Sequence, residues 1–220
     1  VKMIGQYVFY FNTNYVQQVQ LQTVAFTANS AVTTISDYAF SKLLKLKNFG
    51  VPVADATDET KVTYSMPKTV TTLGKCVFED DSALEYIEIG AKVSALGNNT
   101  FKNCSSLNTV IFAKDDVSGK SVTKLSGTYV FSGCTSLESI TLPEKVTVIT
   151  NNTFDGCSKL TSVIMEGVVT STGGYVFRNC VSLTSFVVPA SVGTIGTNAF
   201  YGCVNLSSVT FLTYTKAEAE

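Results

Sequence analysis

Val192-Gly-Thr-Ile195-Gly196-Thr-Asn-Ala199-Phe200-Tyr-Gly-Cys203-Val-Asn-Leu206-Ser-Ser-Val209-Thr-Phe211 is one turn of a pattern that much of the chain repeats. Phe177 stands 23 residues before Phe200, and Phe154 another 23 before that. Cys134, Cys157, Cys180 and Cys203 keep the same beat, as do Leu137, Leu160, Leu183 and Leu206. A fixed period of roughly 20–30 residues marks a solenoid, in which each coil buries its apolar face against its neighbours.

Aligning on the phenylalanine gives eight anchors, Phe9, Phe40, Phe78, Phe101, Phe131, Phe154, Phe177 and Phe200, spaced by 31, 38, 23, 30, 23, 23 and 23 residues. With the anchor at zero, Cys falls at +3, Leu at +6, and apolar residues at +9 and +11. Leu206, Val209 and Phe211 thus form the L-x-x-L-x-L pattern of a leucine-rich repeat. Alternation at +9 and +11 predicts a short strand with both side chains inward, and stacking predicts that these strands pair in one parallel sheet. A second apolar pair precedes each anchor, as in Val146/Ile149 and Val192/Ile195. Pro143 and Pro189 end two of the first strands. Gly74, Gly97, Gly173 and Gly196 suit a tight bend. The stretch carrying Phe and Cys reads as a turn of α- or 3₁₀-helix. The expected fold is an α/β-type repeat solenoid, mainly parallel β with short helical turns and about eight coils. It forms one unit: irregular coils with insertions over 1–69, regular repeats over 70–212 and a tail over 213–220.

The stretch Val192 to Val209 resembles the unit of the BspA-like leucine-rich repeat family, roughly V-x-x-I-G-x-x-A-F-x-x-C-x-x-L-x-x-V. The resemblance covers about Val70 to Phe211 well and the first 69 residues poorly. It implies a cell-surface or secreted protein that adheres to host proteins or cells, with no catalytic residues attached. It also implies that partners dock on the strand-lined side. A structural spacer within a larger surface or intracellular protein is the alternative.

Composition narrows the field. Charged residues are 15% of the 220 and apolar ones 45%, as in an ordered, core-forming chain. A net charge of −1 offers no basic field for nucleic acid or an anionic membrane. No apolar run is long enough to span a bilayer. With no histidine, the commonest general base and metal ligand are both missing. The tail Leu212-Thr-Tyr-Thr-Lys-Ala-Glu-Ala-Glu contains no evident polar cap, which suggests a longer protein or an end covered by another copy.

Candidate chemistry reads blandly. One Cys per coil makes a ladder that diverges along the axis, unlike a tetrahedral metal cage, so each reads as a small buried hydrophobe. Cys76 lies outside that register and reads as the most exposed. The carboxylate runs Asp58-Glu59, Glu79-Asp80-Asp81 and Asp115-Asp116 read as solvated charge in turns or insertions. No cofactor or metal is expected. Of four N-x-S/T sequons, Asn98 and Asn151 share one register and read as turn residues.

What remains is the strand face opposite the core. Its residues are Glu85, Tyr86, Glu88, Thr109, Ile111, Ser139, Thr141, Ser162, Ile164, Ser185 and Val187. Hydroxyls surround an apolar line of Ile111, Ile164 and Val187, with no Lys or Arg among them. The expected partner is a protein, such as a host extracellular-matrix or cell-surface protein, and Tyr86 is the strongest single candidate. The insertions Pro52–Met66 and Ala113–Thr123 form a second candidate surface.

Overall fold

A computed structural model describes residues 1–10, 20–54, 62–115, 119 and 121–213. Eight coils stack as the period demands, and every regular coil contributes two strands. The longer ones are Tyr86–Ile89, Thr109–Phe112, Ser139–Leu142, Ser162–Met165, Ser185–Val188 and Ser208–Phe211. The shorter ones are the pairs Met3–Ile4, Thr34–Ile35, Thr72–Leu73, Ala95–Leu96, Lys124–Leu125, Val148–Ile149, Ser171–Thr172 and Thr194–Ile195. Neighbours pair parallel and one period apart, as in Ser139 with Ser162 and Ile140 with Val163. Pro143 follows Leu142 directly and Pro189 follows Val188, where the strands stop.

The third wall of the coil differs from its expected form. No α- or 3₁₀-helix occurs among the described residues. Instead the N–H at −2, 0 and +2 of one coil donates to carbonyls of the next, as in Tyr129 to Asn151, Phe131 to Thr153 and Gly133 to Asp155. A donor used between coils is lost to the i→i−4 bond a helix requires. The backbone reaches sideways because the residue at −2 is left-handed in all eight coils: Tyr7, Tyr38, Cys76, Asn99, Tyr129, Asn152, Tyr175 and Asn198 have φ of 54–57°. Asn tolerates this region, whereas Tyr adopts it only when its surroundings hold it there. Tyr175 has the Arg178 guanidinium 5.1 Å from its ring centre, and Tyr129 has the Lys102 ammonium at 5.7 Å.

Inside, the eight anchor rings form one column. Successive centroids lie 5.2–5.9 Å apart with planes within 18° of parallel, from Phe9–Phe40 through Phe177–Phe200. Such offset stacking adds to the burial of the rings themselves. All six cysteines are free and buried. Those at +3 are more than fillers: Cys104, Cys134, Cys157, Cys180 and Cys203 each point Sγ at the anchor Phe carbonyl of the preceding coil, at 3.0–3.2 Å. Cys76 is only 2% exposed, against expectation. Its left-handed backbone turns the thiol under the wall beside Tyr38, and burial pushes its pKa up to about 11.

Two departures shape the strand wall. The first insertion is no simple outgrowth. Asn48–Ala54 and Val62–Ser65 pair antiparallel, and the second of these then pairs parallel with Tyr86–Ile89. The insertion therefore adds a strand to the sheet. Residues 55–61, with Asp58 and Glu59, lie outside the described residues, as do 116–118 and 120 of the second insertion.

The wall is also not one continuous sheet. Thr109–Phe112 and Ser139–Leu142 belong to different sheets, and so do Ser162–Met165 and Ser185–Val188. At both of these junctions an Asn side chain bridges the coils elsewhere. Asn98 Oδ1 accepts from Thr128 N–H, and Asn151 Oδ1 from Gly174 N–H, both at 2.9 Å. Beyond Thr109–Phe112 the long strands therefore pair two by two, and the sequence alternates with them: Asn99-Thr100 and Asn152-Thr153 in one kind of coil, Tyr129-Val130 and Tyr175-Val176 in the other. The short-strand ladder runs unbroken through both junctions, so the seams open only on the long-strand wall.

Candidate functional site

The period-2 alternation of the long strands sends +9 and +11 inward and leaves +8 and +10 outside, except in the last strand, where Val209 and Phe211, expected inward, are 36% and 65% exposed because no further described coil covers them. Ile87, Val110, Ile140 and Phe186 are buried, while Ser139, Thr141, Ser162 and Ser185 between them are exposed. Ile111, Ile164 and Val187 are 43%, 55% and 53% exposed, an apolar row on an otherwise hydroxyl-bearing surface. Thr109 is half-buried and Glu85 exposed. Tyr86 and Glu88 are half-buried at the start of this wall. The Tyr86 hydroxyl donates to Glu88 Oε2 at 3.4 Å. Burial, with the Glu88 carboxylate beside it, pushes the Tyr86 pKa up to about 12.

The first seam forms a cleft of about 290 Å³ in this wall. Its floor presents Asn108, Thr109, Ser139 and Thr141 beside Ile111 and Pro143. Lys114 and Glu166 stand at its rim, joined by an Nζ–Oε2 ion pair of 2.8 Å. That pair ties the second insertion to a coil two further along, and the Glu166 carboxylate raises the Lys114 pKa. A second hollow of about 410 Å³ shares Asn108, Thr109 and Ser139 and continues to Ser136, Glu138 and Lys159.

The wall is therefore not bordered by neutral residues alone, since Lys114 and Lys159 reach its edges. Sequence reading missed Lys114 and Glu166 because it stopped at the strand ends. The available signal was Glu166 standing just past Met165, where the matching coils carry Pro143 and Pro189.

The acidic runs separate on folding. Glu79 accepts from the Asn99 amide at 3.0 Å and pairs with Lys102 at 3.6 Å, while Asp80 accepts from the Asn103 amide at 2.8 Å. Asp81, expected in solvent, is fully buried. It sits at +3, where the inward register overrides the preference of charge for water. Asp115 accepts the Gly119 N–H through its carbonyl at 2.7 Å, and Asp116 lies outside the described residues. Among the described residues no three of Cys, Asp and Glu converge in a way that holds a metal ion. No helix among them is long and apolar enough to cross a membrane.

The profile of the BspA type leucine rich repeat region matches six copies over residues 1–61, 54–126 and 117–218, reaching into the irregular N-terminal coils. A leucine rich cell surface protein of Faecalibacterium prausnitzii is 26% identical, with a TM-score of 0.67 over 89% of this chain. This chain spans about half of that protein's length, 48%. The leucine rich repeat protein of T. pallidum is 22% identical with a TM-score of 0.67, over 87% of this chain and 80% of its own. One from Eubacterium ventriosum is 21% identical with a TM-score of 0.53, over 98% of this chain and 64% of its own. Comparison with curated proteins finds no match. With the repeat register, the stacked coils and the family profile in agreement along its length, the chain belongs to the BspA-type leucine-rich repeat family.

Proposed function

We propose that this chain is a non-catalytic protein-binding module of a cell-surface or secreted protein, adhering to host proteins or cells through its long-strand wall. The observation that carries the reading is the exposed row of Ile111, Ile164 and Val187 set among hydroxyls on a rigid, stacked scaffold. An apolar line rimmed by polar groups is what a protein interface uses to bury area while keeping specificity. Tyr86 at one end supplies the large amphipathic ring that interfaces favour. The cell-surface description of the F. prausnitzii protein supports the location.

The test is direct binding of the purified chain to extracellular-matrix proteins and host cells, beside a Tyr86→Ala, Ile111→Lys, Ile164→Lys variant. These side chains point away from the core, so the variant keeps its fold, which circular dichroism checks. Saturable binding that weakens at least about tenfold in the variant supports the wall as the site. Binding that the variant retains moves the site to the insertions. A chain that binds nothing on the panel is a spacer.

A further inference from the structure

The seam cleft has a chemistry of its own. Its hydrogen-bonding groups are neutral: the Asn108 amide, whose oxygen accepts the Thr109 hydroxyl proton at 2.7 Å, and the Ser139 and Thr141 hydroxyls. Beside them lie the apolar edges of Ile111 and Pro143. The charges at the rim cancel, because Lys114 and Glu166 bind each other. An anionic ligand finds no surplus cation there, and a charged side chain would have to break that ion pair. A bulky apolar group would cover hydroxyls and an amide without bonding them, which disfavours it. A ligand with alternating hydroxyl and C–H edges satisfies both kinds of surface. The volume, about 290 Å³, sits at the small end of ligand pockets. The adjoining hollow of about 410 Å³ extends the same floor in one direction, as a linear chain of units requires, and adds Ser136 with one carboxylate and one ammonium, Glu138 and Lys159, whose charges sum to zero.

We propose that this cleft is a subsite for a neutral carbohydrate, one sugar unit in the seam and its neighbours in the adjoining hollow. The inference rests on the long-strand wall being a binding surface. It narrows what is gripped to the neutral glycan of a host glycoprotein.

The test is saturation-transfer NMR with neutral mono- and disaccharides, their sialylated or sulfated counterparts, and unglycosylated peptides. Three proteins are compared: the wild-type chain, a Thr109→Val, Ser139→Ala, Thr141→Val variant, and a Thr194→Lys variant on the exposed short-strand wall. The expected result is saturable binding of a neutral saccharide that changes little with salt. It weakens at least about tenfold in the cleft variant, since each hydroxyl loses its partner. Thr194→Lys leaves it unchanged. A matched deoxy-sugar binds less well, because a site built to bond a hydroxyl discriminates against its loss. Binding by no neutral saccharide, by anionic ones or peptides only, or unaffected by the cleft variant overturns the proposal. If the cleft variant fails to fold, Thr141→Lys, an exposed position that fills the cleft, and the deoxy-sugar series take its place: neutral binding reduced in both supports the site, and any other pattern rejects it. Deglycosylating a captured glycoprotein separates the two readings. A partner still held after its glycans are removed rejects the sugar subsite and leaves protein binding intact.

Discussion

Asp81 occupies the +3 position where five later coils place a cysteine. Its Oδ1 accepts the Leu43 N–H at 2.8 Å, while Oδ2 is buried with no hydrogen-bond partner. Burial raises its pKa well above the usual carboxylate range, opposed by the Leu43 bond and aided by the nearby Asp80 charge. A raised folded pKa means that folding takes up a proton. The resulting stability is complete below the unfolded pKa, near 4, and is lost as pH rises through the folded value. Asp81→Asn keeps an acceptor for Leu43 and removes the titration. Urea denaturation between pH 4 and 8 should show the wild type losing stability relative to the variant as pH rises. Parallel curves would contradict a buried, protonated carboxyl at this position.

Among elements, the glycines at −4 show how tightly the short-strand wall closes. None of Gly74, Gly97, Gly173 and Gly196 has a left-handed φ, so the tight bend read from sequence is not the reason for glycine there. Close approach is. A Cβ on Gly196 would lie 2.2 Å from the Gly173 carbonyl carbon, and one on Gly173 would lie 2.4 Å from Asn151 N. At Gly97 the nearest atoms are 3.5 Å away, an ordinary contact. Gly196→Ala should therefore cost about 1–3 kcal/mol through forced backbone movement. Gly97→Ala should stay within about 0.5 kcal/mol. Thermal unfolding of the two variants checks the contrast, and equal losses would point to backbone entropy rather than space.

For the whole molecule, six buried thiols report how the stack opens. Burial raises the pKa of every one of them, so few thiolates exist at neutral pH and reaction waits for local opening. A solenoid coil is stabilised chiefly by its nearest neighbours, so opening should start at the ends. Cys203, in the last coil and 8% exposed, should label first under native conditions. Cys134 and Cys157, with coils on both sides, should label last. Mass spectrometry of time-resolved alkylation reads the order directly, and simultaneous labelling of all six would mean that the stack opens as one cooperative unit.

The 23-residue beat of Phe, Cys and Leu was enough to read the solenoid, its eight anchors, the inward faces of its strands and the outward row of Ile111, Ile164 and Val187. These are local consequences of which side chains must leave water, and periodicity carries them. The inter-coil carbonyls that capture the five thiols at +3, the left-handed ladder in place of a helical turn and the burial of Asp81 were not legible. They depend on which backbone groups of one coil meet those of the next. The cleft lies furthest from the linear pattern. It exists because two neighbouring strands do not pair and because Lys114 meets Glu166 across 52 residues. The period determines what each coil buries, whereas the gaps between coils are decided only when the coils are stacked.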